Sequence, residues 1–176
     1  MRKPGFFRSF RKNRDGATAV EFALVAGPFL FFLMALIEIA AMFFAETVID
    51  NAVLESARLI RTGQLQNGGG GATAFREEVC DRIVVIADCD RMAFEVAVFQ
   101  DFDTVAPTDP LNQDGTMNEA NMGFDPGRSG DIVLVRVYYR WQVLMPQLFG
   151  GRMGNMADGQ RLIVSSTVFR NEPYDD

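Results

Sequence analysis

The sequence predicts an α+β protein with a long N-terminal helix, a second helix and a three-stranded antiparallel sheet. Residues 17–45 form a nearly unbroken apolar run, and residues 73–87 repeat apolar side chains at helical spacing. Three later segments alternate large apolar side chains with other residues and are rich in β-branched and aromatic types, which is typical of strands: 92–99, 131–145 and 162–170. We expect the helices to cover one face of this small sheet.

The apolar run is long enough to cross a membrane, since a spanning helix needs about 20 mostly apolar residues. A buried core helix and a cleaved secretory signal are the alternatives. The run is apolar on all sides, which suits lipid better than a small core, and it is longer than the roughly 7–15 residues of a signal's apolar region. Gly27 and Pro28 lie inside it and predict a local kink, because membrane helices tolerate proline.

The charges fix an orientation and limit the classes of function. Residues 1–16 carry six basic residues and one acid, which places the N-terminus in the cytoplasm and the rest across the membrane. The chain's net charge is −6, so a leader of +5 leaves −11 for the remainder and argues against nucleic-acid binding by the main domain. The chain has no histidine, the commonest general base and transition-metal ligand. We therefore expect no enzyme and no cofactor.

Beyond the apolar run, residues 46–62 continue as an amphipathic helix with Arg58 and Arg61 in the last turn and Gly63 as a cap. A separate helix behind a hinge is the alternative. Four consecutive glycines follow and predict a flexible linker; no Lys-Ser/Thr pair is present to make it a phosphate loop. The predicted domains are a cytoplasmic basic leader, a transmembrane and stem helix, a Gly-rich linker and an exported α+β head: 1–16, 17–62, 63–72 and 73–176.

The predicted head offers few candidates for chemistry. Cys80 lies on the second helix and Cys89 just beyond it; two cysteines in an exported domain predict a disulfide, with free thiols as the alternative. No metal site is expected, because the ligands are too few and the loop near Asp114 does not fit the EF-hand register, although a looser calcium site stays open. Arg136 and Arg140 project from the face of the middle strand away from the helices. We expect them to be solvated, with pairing to acids of a neighbour as the alternative.

A long polar loop, residues 101–130, separates the first two predicted strands. Its Asp-Pro and Asp-Gly pairs predict turns rather than regular structure. A loop of this length is often functional or disordered, and we expect contact with a partner there.

Two acids interrupt the apolar run. Glu38 lies about 25 Å along the helix from Glu21, so it can sit at the far interface with its carboxylate in water. Glu21 lies just inside the start of the span and has no basic residue within helical reach on its C-terminal side. A carboxylate at the bilayer centre costs about 2.5–3.5 kcal/mol, so Glu21 requires an explanation.

A basic leader followed by Gly16 and then Ala17-Thr18-Ala19-Val20-Glu21-Phe22 resembles the processing site of prepilins. The resemblance implies that a prepilin peptidase cuts after Gly16 and that Glu21, the fifth mature residue, directs assembly. The Glu21-Phe22 pair resembles the Flp-type signature of the tight-adherence (Tad) pilus system. The wider segment, RDGATAVEFALVAGPFLFFLMALIEIA, is similar to TadE-like and TadG-like pseudopilins.

The C-terminal part of the chain also resembles TadE-like proteins. It carries a Tyr139-x-Trp141 strand, a Pro-Leu segment near Pro146 and a final Asn171-Glu172-Pro173. TadG proteins are generally longer and Flp pilins much shorter, so the length points to TadE. A TadF-type sister protein is not excluded by length.

The resemblance implies a TadE-like minor pseudopilin that assembles or primes a Tad/Flp-type pilus. The implied partners are the inner membrane, the prepilin peptidase, pilin with other minor pseudopilins, and the pilus assembly platform. The implied location is the bacterial inner membrane with a periplasmic head; incorporation in the pilus stays open. Cleavage would give Ala17 an α-amine with a pKa of about 8, and Glu21, one turn on, would offset its charge within one subunit or in a neighbour. The alternatives are an uncleaved single-pass anchor bearing an adhesin or sensor, and a periplasmic enzyme.

Overall fold

The computed structural model describes residues 16–83, 87–144 and 153–174, so the predicted leader, residues 1–16, lies outside the described residues except for Gly16. The α+β prediction is confirmed: helices come first and a three-stranded sheet follows. The chain divides into two compact units, one ending at Ala40 and one beginning at Ala41. The helices and strands, in chain order, are α1 (Ala17–Arg61), α2 (Gln64–Asn67), α3 (Gly71–Ile83), β1 (Met92–Phe99), β2 (Ile132–Trp141) and β3 (Arg161–Arg170).

Helix α1 is a single element that continues through Gly27 and Pro28. In the second unit it is amphipathic. Its buried side chains recur at helical spacing, with Ile49, Val53 and Ile60 all at 0 % exposure, while Glu55 on the other side is exposed. This apolar stripe joins one core with α3 and the sheet.

The sheet has the order β1-β2-β3, and both of its strand pairs are antiparallel. Val96 lies opposite Val135, which in turn lies opposite Thr167, so one face carries the valines of β2. This face packs against the helices and completes the core. The predicted first strand is reproduced at both ends, and the predicted second and third strands differ from β2 and β3 only at their termini.

The segment predicted as a Gly-rich linker, residues 63–72, begins with a short helix that the sequence analysis did not predict. Gly63 adopts the left-handed conformation that ends α1, and helix α2 follows it directly. Leu65 of α2 is buried, and the side-chain amide of Gln66 donates hydrogen bonds to the carbonyls of Ile60 and Pro126. The burial of Leu65 and the hydrogen bonds of the Gln66 amide hold α2 in place next to the glycines. The second helix begins at Gly71 rather than at residue 73 and is described as far as Ile83. Residues 84–86 lie outside the described residues, and Ala87, the predicted last residue, is not helical.

The prediction that Arg136 is solvated is wrong. Arg136 is 5 % exposed, and its guanidinium Nη2 lies 2.7 Å from Oε2 of Glu95 on the adjacent strand. The guanidinium also donates to the carbonyl and the hydroxyl of Thr108, at 2.7 and 3.0 Å. Two parts of the loop at residues 101–130, which we expected to contact a partner, thus lie over the second face of the sheet. They contain Thr108 and Glu119, and Arg140 pairs with Glu119 at 3.3 Å.

Residues 171–174 fasten the end of α1 to the turn before β2. The Asn171 side-chain amide donates to the carbonyls of Pro126 and Arg128, at 2.9 and 3.0 Å. The Glu172 N–H donates to the Arg61 carbonyl at 2.8 Å, and the two side chains form an ion pair at 2.8 Å. A Cβ on Gly63 would lie 2.5 Å from the Tyr174 ring, so this close approach requires glycine. We call these contacts the tail clasp.

The structure joins Cys80 of α3 to Cys89 in a disulfide, with the two Cα atoms 5.7 Å apart. We expect the variant with both cysteines replaced by alanine to lose about 2–3 kcal/mol of the free energy of unfolding, because the unfolded chain regains the freedom of a loop of about ten residues. Denaturant unfolding of the variant and of the reduced native protein measures the loss. Equal stability of all three forms would contradict the prediction.

Candidate processing site and membrane helix

The predicted cleavage site lies at the first turn of α1. Gly16 is a turn residue, and its carbonyl accepts the first helical hydrogen bond from the Val20 N–H at 3.1 Å. Gly16 therefore occupies the N-cap position, and the Gly16–Ala17 peptide bond lies at the helix boundary. The first N–H groups of the helix, from Ala17 onward, have no acceptor within the helix.

Nothing in the described fold requires glycine at position 16. Its φ is not in the left-handed region, and a Cβ built there would meet no atom within 4 Å. Gly63 differs on both counts, because it has a φ of 74° and the Tyr174 ring beside it. A glycine that the fold does not need is available for recognition by another molecule.

Glu21 lies on the same helix face as Ala17, since residues four apart are neighbours on a helix surface. Both side chains are exposed, and the next residue, Phe22, is 73 % exposed. The first turn of α1 contains no acidic residue, so Glu21 is the first acid that the described helix reaches. The structure thus puts Ala17, Glu21 and Phe22 on one accessible turn and a half of helix.

The apolar side chains of α1 in the first unit form an exposed surface around the helix. Within the described residues, α1 is the one helix long and apolar enough to span a membrane, and 6 % of its most apolar window is buried. A core helix would bury most of that window. The exposed large apolar side chains of this region lie on all sides of the helix: Val20, Phe22, Leu24, Val25, Phe29, Leu30, Phe31, Phe32, Leu33, Met34, Leu36 and Ile37.

Glu38 does not keep its carboxylate in water as the sequence suggested. It is 1 % exposed and has an interaction partner, as a buried carboxylate requires. The two acids of the apolar run therefore differ. Glu21 is exposed near the start of the run, and Glu38 is buried in its second half.

A family model describes this same region. Residues 16–58 match the TadE-like protein family. Over these residues the chain is TadE-like. The match begins at Gly16, contains Ala17, Glu21 and Phe22, and ends within α1. No curated protein and no solved structure matched the chain.

The TadE-like match and the apolar helix together indicate a membrane-anchored protein of a Tad pilus system. The family is a structural one associated with pili rather than a family of enzymes. The match does not reach the resemblance noted at the C-terminal end, so that resemblance stays a prediction; its Pro-Leu segment near Pro146 lies outside the described residues.

Sequence reasoning missed the polar cluster on the second face of the sheet. Glu95 accepts hydrogen bonds from the Tyr138 hydroxyl at 2.8 Å and from Arg136, while the Arg136 guanidinium lies 5.5 Å from the centre of the Tyr138 ring. Burial, reinforced by the hydrogen bond to Glu95, raises the pKa of the Tyr138 hydroxyl. The sequence did contain a signal for this cluster. The predicted first strand has one glutamate among apolar residues, and alternation puts Arg136 on the face of the second strand that is opposite its valines.

This cluster has the character of a structural network rather than of a catalytic centre. Its charges compensate each other, and Thr108 closes it from the loop side. Within residues 16–83, 87–144 and 153–174, no group of three or more His, Cys, Asp or Glu side chains could hold a metal ion.

Proposed function

We propose that this chain is a TadE-like minor pseudopilin that a prepilin peptidase cuts after Gly16 and that then assembles or primes a Tad/Flp-type pilus. The observation that carries the proposal is the first turn of α1. A glycine that the fold does not require stands immediately before an exposed helix start, and an acid follows one turn later. The TadE-like match covers the same residues.

The chemistry of the cut supports this assignment. Hydrolysis after Gly16 creates an α-ammonium on Ala17 at the N-terminus of a helix, where the helix dipole disfavours positive charge. The Glu21 carboxylate, one turn away, compensates it within the subunit or across to a neighbouring subunit. Pairing the ammonium with the carboxylate lowers the free-energy cost of placing each charge in an apolar environment.

In this proposal the mature protein stays in the bacterial inner membrane with its start on the cytoplasmic side and its α+β head in the periplasm. Its stem packs with the stems of pilin and of other minor pseudopilins at the assembly platform. The exposed apolar surface of the first unit suits both lipid and neighbouring stems.

N-terminal sequencing of the protein isolated from membranes tests the processing step. We expect a start at Ala17 in cells with the prepilin peptidase and a start at Met1 in cells without it. The variant Gly16→Leu is expected to stay uncut, because it changes the residue before the scissile bond. A Cβ at this position meets no atom of the described residues within 4 Å, so the fold should persist.

The matched control is Gly27→Leu, which adds the same side chain to the same helix, again where a Cβ meets nothing within 4 Å. We expect this variant to be cut as the native protein is. A start at Met1 in native cells would contradict the proposal and support an uncleaved anchor with an adhesin or sensor head.

A further inference from the structure

The outer edge of β3 carries backbone groups that no other strand uses. At the opposite edge of the sheet, the N–H of Val96 in β1 donates to the Gly123 carbonyl, and the Val96 carbonyl accepts from the Asp125 N–H. The backbone N–H and C=O of Val96 therefore point away from β2. Bond directions alternate along antiparallel strands, and Val96 lies opposite Val135. Val135 therefore bonds to Thr167 of β3.

The even-numbered residues of β3 consequently point their N–H and C=O groups outward. Leu162 fits this parity, because its N–H donates to the side-chain oxygen of Asn155 at 2.7 Å, outside the sheet. Val164, Ser166 and Val168 come next, and in the described part of the chain their outward groups have no partner strand. Val164 and Val168 are also 42 % and 38 % exposed.

Natural proteins usually protect such an edge because it is a template for another strand. β1 illustrates this protection, since residues 123–125 lie along it at Val96. β3 is ten residues long, and among the described residues its outer edge has a single contact, from Asn155 at one end. An edge left open over this length is available for pairing with an added strand.

Both ends of β3 are basic. Among the described residues, four arginines have no acid within ion-pair distance: Arg58, Arg128, Arg161 and Arg170. Arg161 and Arg170 are the two ends of β3, about 30 Å apart. Arg58 lines a cavity of about 280 Å³ between α1 and Thr167–Phe169, next to the exposed Leu54.

We propose that the open edge of β3 docks an extended, acid-flanked segment of a partner protein, which adds a fourth strand to the sheet. Its backbone pairs with Val164, Ser166 and Val168, its apolar side chains cover the two valines, and its acids meet Arg161 and Arg170. Charge favours this occupant over a second copy of the chain, because an antiparallel β3–β3 pair would bring together four unpaired arginines and no acid. The proposal does not depend on cleavage after Gly16.

Amide hydrogen exchange of the purified full-length protein in detergent micelles, measured by NMR, tests this docking. The probe is a synthetic nine-residue peptide of alternating valine and threonine with an aspartate at each end and blocked termini. At saturation we expect exchange at Val164, Ser166 and Val168 to slow about tenfold or more. The amides of Ile163 and Ser165, already bonded to β2, serve as internal controls and are expected not to change.

Two variants separate the backbone contribution from the charge contribution. Ser166→Pro removes an outward N–H without removing a bond to β2, so the fold should persist while peptide binding is lost. The double variant Arg161→Glu, Arg170→Glu is expected to weaken binding about tenfold. Its matched control is Arg91→Glu, an exposed arginine beside β1, which should leave binding unchanged.

Three results would overturn the proposal. The first is no slowing with the acidic peptide. The second is equal slowing with a peptide that carries lysine at both ends, which would remove the role of charge. The third is slowing without any peptide that grows with protein concentration, which would identify the occupant as a second copy of the chain.

Discussion

Replacing Glu21 with alanine is expected to abolish pilus formation while leaving the protein inserted, cut and folded. In the proposed mature protein, the variant keeps the ammonium of Ala17 but removes the carboxylate one turn away. An uncompensated charge at the start of a stem costs several kcal/mol in an apolar assembly. Electron microscopy of cells, together with immunoblots of the sheared pilus fraction, measures the effect.

The control for this experiment is Glu55→Ala, which removes an exposed acid from the same helix outside the apolar run. We expect this variant to form pili normally. Glu21→Gln should fail as alanine does, because the amide keeps the size and loses the charge. Normal piliation of Glu21→Ala cells whose protein starts at Ala17 would remove the assembly role from Glu21.

Replacing Glu95 with alanine is expected to lower the free energy of unfolding by about 3–5 kcal/mol. The substitution leaves the Arg136 guanidinium buried beside Thr108 without its counter-charge, and it also removes the acceptor of the Tyr138 hydroxyl. Urea unfolding of the full-length protein in micelles, followed by near-UV circular dichroism, measures the change.

Two variants distinguish the charge from the hydrogen bond. Tyr138→Phe removes one neutral donor and leaves the ion pair intact, so we expect a loss of about 1 kcal/mol. The double variant Glu95→Met, Arg136→Met removes both charges together and should cost less than Glu95→Ala alone. If Glu95→Ala and Tyr138→Phe cost the same, the ion pair does not contribute as argued.

The elements of the fold were predictable because their signals are local. The alternation of Met92, Phe94 and Val96 identifies both β1 and its buried face, and the same reasoning identifies the valine face of β2. The apolar stripe of α1 is equally visible in its 3.6-residue period. Each of these patterns lies within a few turns of helix or a few residues of strand.

The second face of the sheet could not be predicted in the same way. Alternation assigns Arg136 to a face but does not say what covers that face. The cover is a loop without periodicity, in which Thr108 contacts Arg136 from 28 positions away. Helix α2 was missed for a related reason, because the side chain of Gln66 is held by a distant partner, the carbonyl of Pro126.

The candidate processing site was fully visible in the sequence, since Gly16, Ala17, Glu21 and Phe22 are neighbours in the chain. The open edge of β3 was not. Its recognition requires the strand order, the register that sets which residues point outward, and the placement of Arg58 beside Thr167. None of these follows from periodicity.

The tail clasp imposes an order of events on biogenesis. Helix α1 is translated before the strands, yet Glu172, which holds the end of α1 at Arg61, is translated after β3. The side of α1 that carries Ile49 and Val53 packs against α3 and the sheet, so it stays uncovered until those later elements have been translated. A molecule arrested before β3 would lack both the tail clasp and the β3 side chain of this core, Ile163, and would expose apolar surface to chaperones and proteases.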